Sequence, residues 1–377
     1  MTEIYVIRHV QAEGNLYRHM QGQWDGDVTP LGVEQRDALA LRFRDIPVDA
    51  VYSSDLWRAR FTATAITRFH DLPVQTDRRL REINIGPWEA VPFANVAWEQ
   101  PVSFDRFLHD PEHFSMPGAE TFHDVQARAS AALYEIAEAN PGRTVAVTTH
   151  GVTIRCILTR VLGVPLNDTK TVPIFRNTGV AHLVYEDGRF TVDMIDDASH
   201  LRPEQMTSLL SEPALRSVCI DPAAWRDFYE SCYADAWRFA HGNLDGFCAD
   251  SYFRAACAHY REDEESVLLL CDGETPAGLV DLDTERSAHL GCGWVSLLYL
   301  CPAYRGRGLG VQLLGRAVAK YHRLGRTAIR LHVAEDNRAA RAFYRANGFA
   351  ELSRTPGATA PLLLLEKKLR RPGHGDV

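Results

Sequence analysis

The 377-residue chain lacks any Cys-x-x-Cys pair; its eight cysteines are scattered from Cys156 to Cys301. Neither a zinc site of paired thiolates nor a disulfide framework is indicated, and free thiols in a reducing compartment are expected. No apolar run approaches the ~18 residues of a membrane span. The opening Met1-Thr2-Glu3-Ile4-Tyr5-Val6-Ile7 has neither the basic nor the long apolar region of a secretory signal. A soluble, cytoplasmic protein with no membrane partner is the expectation. A basic excess is missing too: 41 Lys and Arg face 49 Asp and Glu, a net charge of −8. Up to residue 200 there are 19 basic and 27 acidic residues, and 22 of each after it. A nucleic-acid binder would carry a basic surplus, so no nucleic-acid partner is expected. With 46% apolar and 24% charged residues, composition argues against disorder and against a coiled-coil rod.

What is present is chain enough for two domains. Before residue 200, short β-branched runs alternate with helical patterns, as in an α/β domain on a largely parallel sheet. Strands are expected at 4–7, 50–53, 144–148 and 180–185, and helices over about 30–44, 56–69, 122–139 and 152–162. Thr29 can cap the first long helix, with Pro30 where a missing N–H costs nothing. From 199 to 213 the pattern weakens into polar residues and prolines. That places a linker at 201–214, between a domain over 1–200 and another over 215–370. The second has its own mixed α/β pattern, with strands at 267–271, 277–282, 295–300 and 328–333. The halves share no motif, so a fusion of unlike domains with separate cores is expected.

Two strand ends in the first half carry histidine: Ile7-Arg8-His9 and Thr148-Thr149-His150-Gly151. Ligands of open α/β sheets sit beyond the carboxyl ends of strands, so both rings should enter one crevice. Either histidine alone reads more easily as structural. Ser53-Ser54-Asp55-Leu56-Trp57-Arg58 supplies an arginine at the start of the next helix. Arg8 and Arg58 can then grip one anion through planar, multidentate guanidinium groups.

These residues resemble the histidine phosphatase superfamily, the phosphoglycerate-mutase-like fold. The match adds Glu13-Gly14-Asn15, Thr29-Pro30-Leu31-Gly32 and Leu80-Arg81-Glu82-Ile83-Asn84-Ile85-Gly86-Pro87-Trp88-Glu89, in the family's order over roughly residues 1 to 200. The resemblance implies a three-layer α/β fold with a mostly parallel sheet and metal-free hydrolysis of phosphomonoesters. In that reading His9 attacks phosphorus, Arg8, Asn15, Arg58 and His150 hold the phosphoryl oxygens, and Glu82 is the general acid and base. Two residues depart from the pattern. Val10 stands where glycine usually follows the nucleophile, threatening strain at positive φ and crowding of the phosphate. Ala90 stands where glycine commonly follows Trp-Glu. The aromatics between Val91 and Met116 are expected in a lid, more as its core than as a stacking platform. The Leu-Arg-Glu-x-x-x-Gly-x-Trp-Glu motif looks like that of the phosphatase branch, with mutase activity as the runner-up.

In the second half a buried strand pattern feeds Cys301-Pro302-Ala303-Tyr304-Arg305-Gly306-Arg307-Gly308-Leu309-Gly310 before an amphipathic helix. Glycines between a strand and a helix N-terminus let backbone N–H groups approach a phosphate. With Ile329-Arg330-Leu331-His332-Val333 and the run from Asn337 through Tyr344 to Gly348-Phe349, this resembles the GNAT family of N-acetyltransferases. The resemblance implies acetyl-CoA as cosubstrate. Its pyrophosphate would lie on Arg305, Gly306, Arg307, Gly308, Leu309 and Gly310, and its pantetheine arm on the backbone of Leu298 and Leu300 and on Asn337. Tyr344 would protonate the departing thiolate. Between residues 221 and 285 there are 15 acidic and 4 basic residues, and between 305 and 345 there are 10 basic and 2 acidic. The first could draw an amine and the second CoA phosphates. Asp281, Asp283 and Glu285 are candidates for the base. The whole reads as a bifunctional enzyme acting on small phosphomonoesters and amines, without a metal. The rival reading is a phospho-ligand sensor that regulates an acetyltransferase of proteins or small amines.

Overall fold

The computed structural model describes residues 1–168, 170–207, 214–357 and 360–369. Residues 208–213 of the expected linker, and the expected end of the second domain at 370, lie outside the described residues.

β1 (Thr2–Arg8) buries side chains on both faces, which puts it in the interior of a sheet covered on both sides. Ile4 and Val6 face one cluster, Ile7 another. The other strands are β2 (Ala50–Ser53), β3 (Val74–Thr76), β4 (Thr144–Thr149), β5 (Val180–Glu186) and β6 (Arg189–Asp197), in the sheet order β3-β2-β4-β1-β5-β6. β3, β2, β4 and β1 pair in parallel, and β5 and β6 add antiparallel. The helices are α1 (Glu13–Tyr17), α2 (Pro30–Phe43), α3 (Trp57–Thr67), α4 (Phe93–Glu99), α5 (Pro101–His109), α6 (Phe122–Ala139) and α7 (Gly151–Leu162). Residues of α2 and α3 pack with Ile7, those of α6 and α7 with Ile4 and Val6, giving three layers. The expected cap forms, Thr29 Oγ1 accepting from the Gly32 N–H at 3.0 Å with Pro30 in the first turn. The segment expected as a lid holds α4 and α5, and its Phe104, Phe107 and Phe114 pack around buried Trp88.

The second sheet is mixed, β12-β13-β11-β10-β9-β8-β7. Its strands are β7 (Arg216–Cys219), β8 (Val267–Asp272), β9 (Thr275–Asp283), β10 (Cys292–Leu300), β11 (Ala328–Ala334), β12 (Ala350–Thr355) and β13 (Leu362–Lys368). The pair β10 and β11 is parallel and its neighbours are antiparallel. α8 (Arg226–His241) and α9 (Ala249–Glu262) cover one face, α10 (Gly310–Arg323) and α11 (Arg338–Ala346) the other.

The expected separation of cores holds except at α1. Tyr17 of α1, 1% exposed, belongs to the core under α10, with Leu16 packed beside it. Buried Glu13 faces Lys367 Nζ at 3.3 Å and His322 Nε2 at 3.7 Å, and Asn95 of α4 exchanges hydrogen bonds with Ser217 of β7. Nothing in the periodicity of a five-residue helix announces that its apolar side belongs to another domain.

Candidate active sites

β1 and β4 run parallel in register to their last residues, Arg8 opposite Thr149. The chain leaves each strand through a histidine, and the His9 and His150 rings lie 5.2 Å apart between centroids. Both are buried, at 2% and 0% exposure. Burial, then the charges of Arg58 and Arg8, holds His9 well below its ordinary pKa, so the ring is neutral. Its Nδ1 lies 2.6 Å from the Val10 carbonyl oxygen. A carbonyl only accepts, so Nδ1 carries the proton and Nε2 keeps its lone pair. His150 is likewise kept neutral by burial and by Arg58, with Nε2 2.8 Å from Ser54 Oγ.

Arg58 is wholly buried and its guanidinium is held by backbone: Nη1 donates to Trp24 O at 3.0 Å and Nη2 to Gly22 O at 2.6 Å. Asp25, at 3.5 Å, is its carboxylate neighbour. Arg8 donates from Nη1 to the Phe175 carbonyl. Arg8 Nε, Arg58 Nε and His150 Nδ1 are buried with no partner among the described residues. Orphaned donors of two arginines in one crevice are what an oxyanion would satisfy.

Glu82 lies over the start of α7. Its Oε2 accepts from Val152 N at 3.2 Å, and its Oε1 from Thr153 N and Thr153 Oγ1, each at 3.2 Å. Its charge acts on both Arg8 and Arg58. The structure therefore brings Arg8, His9, Arg58, Glu82 and His150 together. Asn15 sits in α1, its Oδ1 accepting from Ala12 N at 3.0 Å. Val10 is fully buried and is not among the left-handed residues, so the strain expected there is absent. The strain lies at the other departure: Ala90 has φ 61°. Composition and motif spacing did not reveal the loop that holds Arg58. Glu89 fixes that loop by accepting from Gln23 N at 2.9 Å and Trp24 N at 2.5 Å. The conspicuous signal was the glutamate of Trp88-Glu89, which had no assigned part.

In the second domain β10 pairs with β11 only as far as Val295 opposite Leu331, then continues to Leu300 alongside β9 alone. A bulge between Val295 and Leu297 turns the strand at that point. The two parallel strands thus part into a wedge. Beyond it Gly306 and Gly308 take φ 71° and 75° and Gly310 opens α10, setting a glycine loop at a helix N-terminus. The side chain of Arg305 goes elsewhere: it pairs with Asp235 of α8, and its Nε donates to Leu300 O at 2.8 Å. Asn337 Oδ1 accepts from Ala340 N at 3.0 Å, capping α11. Tyr344, packed against the core under α10 with its ring 5.2 Å from that of Phe349, is held protonated by burial and makes no hydrogen bond from Oη among the described residues.

Two of the three carboxylates considered as bases are engaged by one histidine. His259 Nδ1 lies 2.7 Å from Asp281 Oδ1 and Nε2 lies 3.2 Å from Asp283 Oδ2, while Tyr229 Oη donates to Asp281 at 2.7 Å. Hydrogen bonds to the two carboxylates outweigh burial and raise His259 to about 9. Asp283, although half-buried, is drawn down to about 2 by His259 and the Arg286 N–H. Glu285 donates its N–H to Asp283 Oδ1 at 3.1 Å.

Comparison with known proteins finds a family for each half. The family model described as the histidine phosphatase superfamily (branch 1) matches residues 4–198, and the acetyltransferase (GNAT) family model matches residues 223–349. A probable phosphoglycerate mutase of Yersinia pestis is 28% identical over 206 residues, covering 53% of this chain and 95% of that protein. The solved structure of Bacillus stearothermophilus YhfR is 32% identical, with a TM-score of 0.52 over 53% of this chain and 99% of that one.

Proposed function

Given that the chain belongs to the histidine phosphatase superfamily and carries a GNAT acetyltransferase domain behind it, we propose that it is a bifunctional enzyme. One half is a metal-independent phosphomonoesterase working through a phosphohistidine, the other an acetyl-CoA-dependent N-acetyltransferase. The observation that supports the first half is the His9 Nδ1–H bond to Val10 O, which leaves the Nε2 lone pair free beside two arginines, Arg8 and Arg58, whose Nε donors have no partner among the described residues. Nε2 attacks phosphorus, the bond from phosphorus to the ester oxygen breaks, and Glu82 gives that oxygen its proton. Glu82 then takes a proton from the water that cleaves the phosphorus–nitrogen bond and restores His9. Arg8, Arg58, Asn15 and His150 hold the non-bridging oxygens, charge stabilisation being the main demand of phosphoryl transfer. The name of the Yersinia relative favours a second reading, transfer between two positions of a phosphoglycerate. Release of free phosphate without a phosphorylated cofactor separates the two.

For the second half, the wedge beside β10, the left-handed glycines and the start of α10 suit an acyl-CoA. Acetyl-CoA would supply an activated acetyl group there. Leu298 and Leu300 line the wedge, backbone N–H groups from Arg305 to Gly310 bind the pyrophosphate, and Tyr344 holds a proton at Oη for the sulfur. Asn337 orders the start of α11 beside them. The substrates are read as small cytoplasmic metabolites carrying phosphate or amine, of one pathway. The test is turnover of an aryl phosphate by chelator-treated full-length protein, and of an amine panel with acetyl-CoA. No hydrolysis with intact acetyl transfer would favour the phospho-ligand sensor instead.

A further inference from the structure

A cavity of about 370 Å³ lies between the two domains, apart from both sites described above. From the first domain it is lined by His19 and the Ala90–Pro92 turn, and from the second by Arg216 of β7 and by Arg316, Lys320 and Arg323 of α10. Its acidic lining residues are Glu99 and Glu265. Glu265 pairs with Lys320 at 2.9 Å and with Arg323 at 2.7 Å, and Asp263 also pairs with Lys320. Arg216 and Arg316 have no carboxylate partner among the described residues. Arg216 lies over the Trp98 ring at 4.3 Å.

Arg316 is the unusual member. It is 5% exposed, donates from Nη2 to Leu215 O at 3.0 Å, and meets His19 Nε2 through Nη1 at 2.5 Å. A guanidinium only donates, so His19 Nε2 accepts, and the neutral ring carries its proton on Nδ1. Arg316 Nε, His19 Nδ1 and Arg216 Nε are all buried without a partner among the described residues. A buried guanidinium without a counter-charge is costly, because its desolvation is not offset by an ion-pair partner, so a site retaining one is short of an anion.

We propose that this cavity binds a phosphoryl dianion between the two domains, with Arg316, His19 and Arg216 as its donors. The size suits a small ligand, at the low end of the ~300–1,000 Å³ of ordinary ligand sites. Desolvation lowers Arg316 to about 9, a cost that a bound dianion would offset. The phosphoryl group can come as free phosphate or on a monoester; both present the same oxygens.

The test is calorimetric titration of the full-length protein with inorganic phosphate at saturating CoA. In parallel, the inhibition constant of phosphate against aryl phosphate hydrolysis is measured. We expect a bound phosphate that does not inhibit, is lost in Arg316→Met, and is weakened at least threefold in Arg216→Gln, while the inhibition constant stays as in the unaltered chain. Arg216→Gln reports on the site even if Arg316→Met does not fold. Methylphosphonate, a monoester mimic that cannot be hydrolysed, separates the sources: binding to the Arg316-dependent site means that an ester-linked group suffices, and binding of phosphate alone means free phosphate. If every bound phosphate is accounted for by inhibition, or if the non-inhibiting one survives unchanged in both variants, the proposal is overturned.

Discussion

Tyr17 of the first domain lies directly over Gly315 of the second: a Cβ at position 315 would stand 2.5 Å from the Tyr17 Cβ. Only glycine allows α1 to seat on α10 at that distance. Gly315→Ala should therefore cost about 1–3 kcal/mol, as overpacked cores do, and Tyr17→Ala about 3 kcal/mol for the buried ring it removes. A chain ending before residue 214 would expose Leu16 and Tyr17 and leave Glu13 without Lys367 and His322. It should unfold at lower temperature than the whole chain and lose phosphatase turnover in proportion, which thermal unfolding followed alongside aryl phosphate hydrolysis would show.

The strain at Ala90 makes a prediction of opposite sign. A non-glycine residue in the left-handed region costs about 1–2 kcal/mol, partly offset by the entropy glycine loses on folding, about 0.4–1 kcal/mol. Ala90→Gly should stabilise the protein by about 0.5–1 kcal/mol, seen as a higher urea midpoint at unchanged slope. Val10→Gly should do the reverse, by about 2 kcal/mol, because it deletes a fully buried side chain and relieves no strain. A gain from Val10→Gly would contradict this account.

These two positions show how far the sequence could be read. The strand-end histidines, the arginine after Ser53-Ser54, the Thr29 cap and the long helices were legible because each rests on local chemistry or on periodicity. β3, β7, β12 and β13 were not: β3 is three residues long and β12 is exposed at every residue, so neither shows the alternation of a half-buried strand. β6 does alternate, with Phe190, Val192 and Met194 less exposed than the residues between them, and was legible by that rule although it is not among the expected strands. The seat of α1 on α10 was invisible for a different reason. It depends on which surfaces meet, and a lone glycine in a helix signals close approach without naming the partner. The conformation of Val10 and Ala90 followed the same rule, since a departure from a pattern does not say which backbone is left-handed.

His259 predicts a pH dependence. Raised to about 9 between Asp281 and Asp283, it binds its proton more tightly folded than unfolded. Its contribution is thus fully present below the unfolded value of about 6.5 and is lost as pH rises through about 9. Across that window the protein should lose on the order of 2 kcal/mol. His259→Gln should flatten the loss. A stability curve equally steep in the variant would remove His259 as its source.

In the glycine loop, Gly308 has open space around it and φ 75°, so a side chain there acts through the backbone. Gly308→Val should weaken CoA binding by about 1–3 kcal/mol, the worth of the charge-assisted hydrogen bonds it displaces. Tyr344→Phe should instead lower kcat and spare CoA affinity, since its proton matters only as the thiolate leaves. Calorimetric CoA titration and steady-state acetyl transfer on both variants distinguish the two effects.

The central claim is that His9, its Nδ1 tied to Val10 O, accepts the phosphoryl group on Nε2. Rapid denaturation of full-length protein during turnover of a labelled phosphomonoester, followed by mapping of the labelled peptide and assignment of the phosphorylated nitrogen, tests it directly. Label on Nε2 of His9, absent from His9→Ala along with turnover, is the predicted result. Label on another residue, or hydrolysis that continues in His9→Ala, would contradict it.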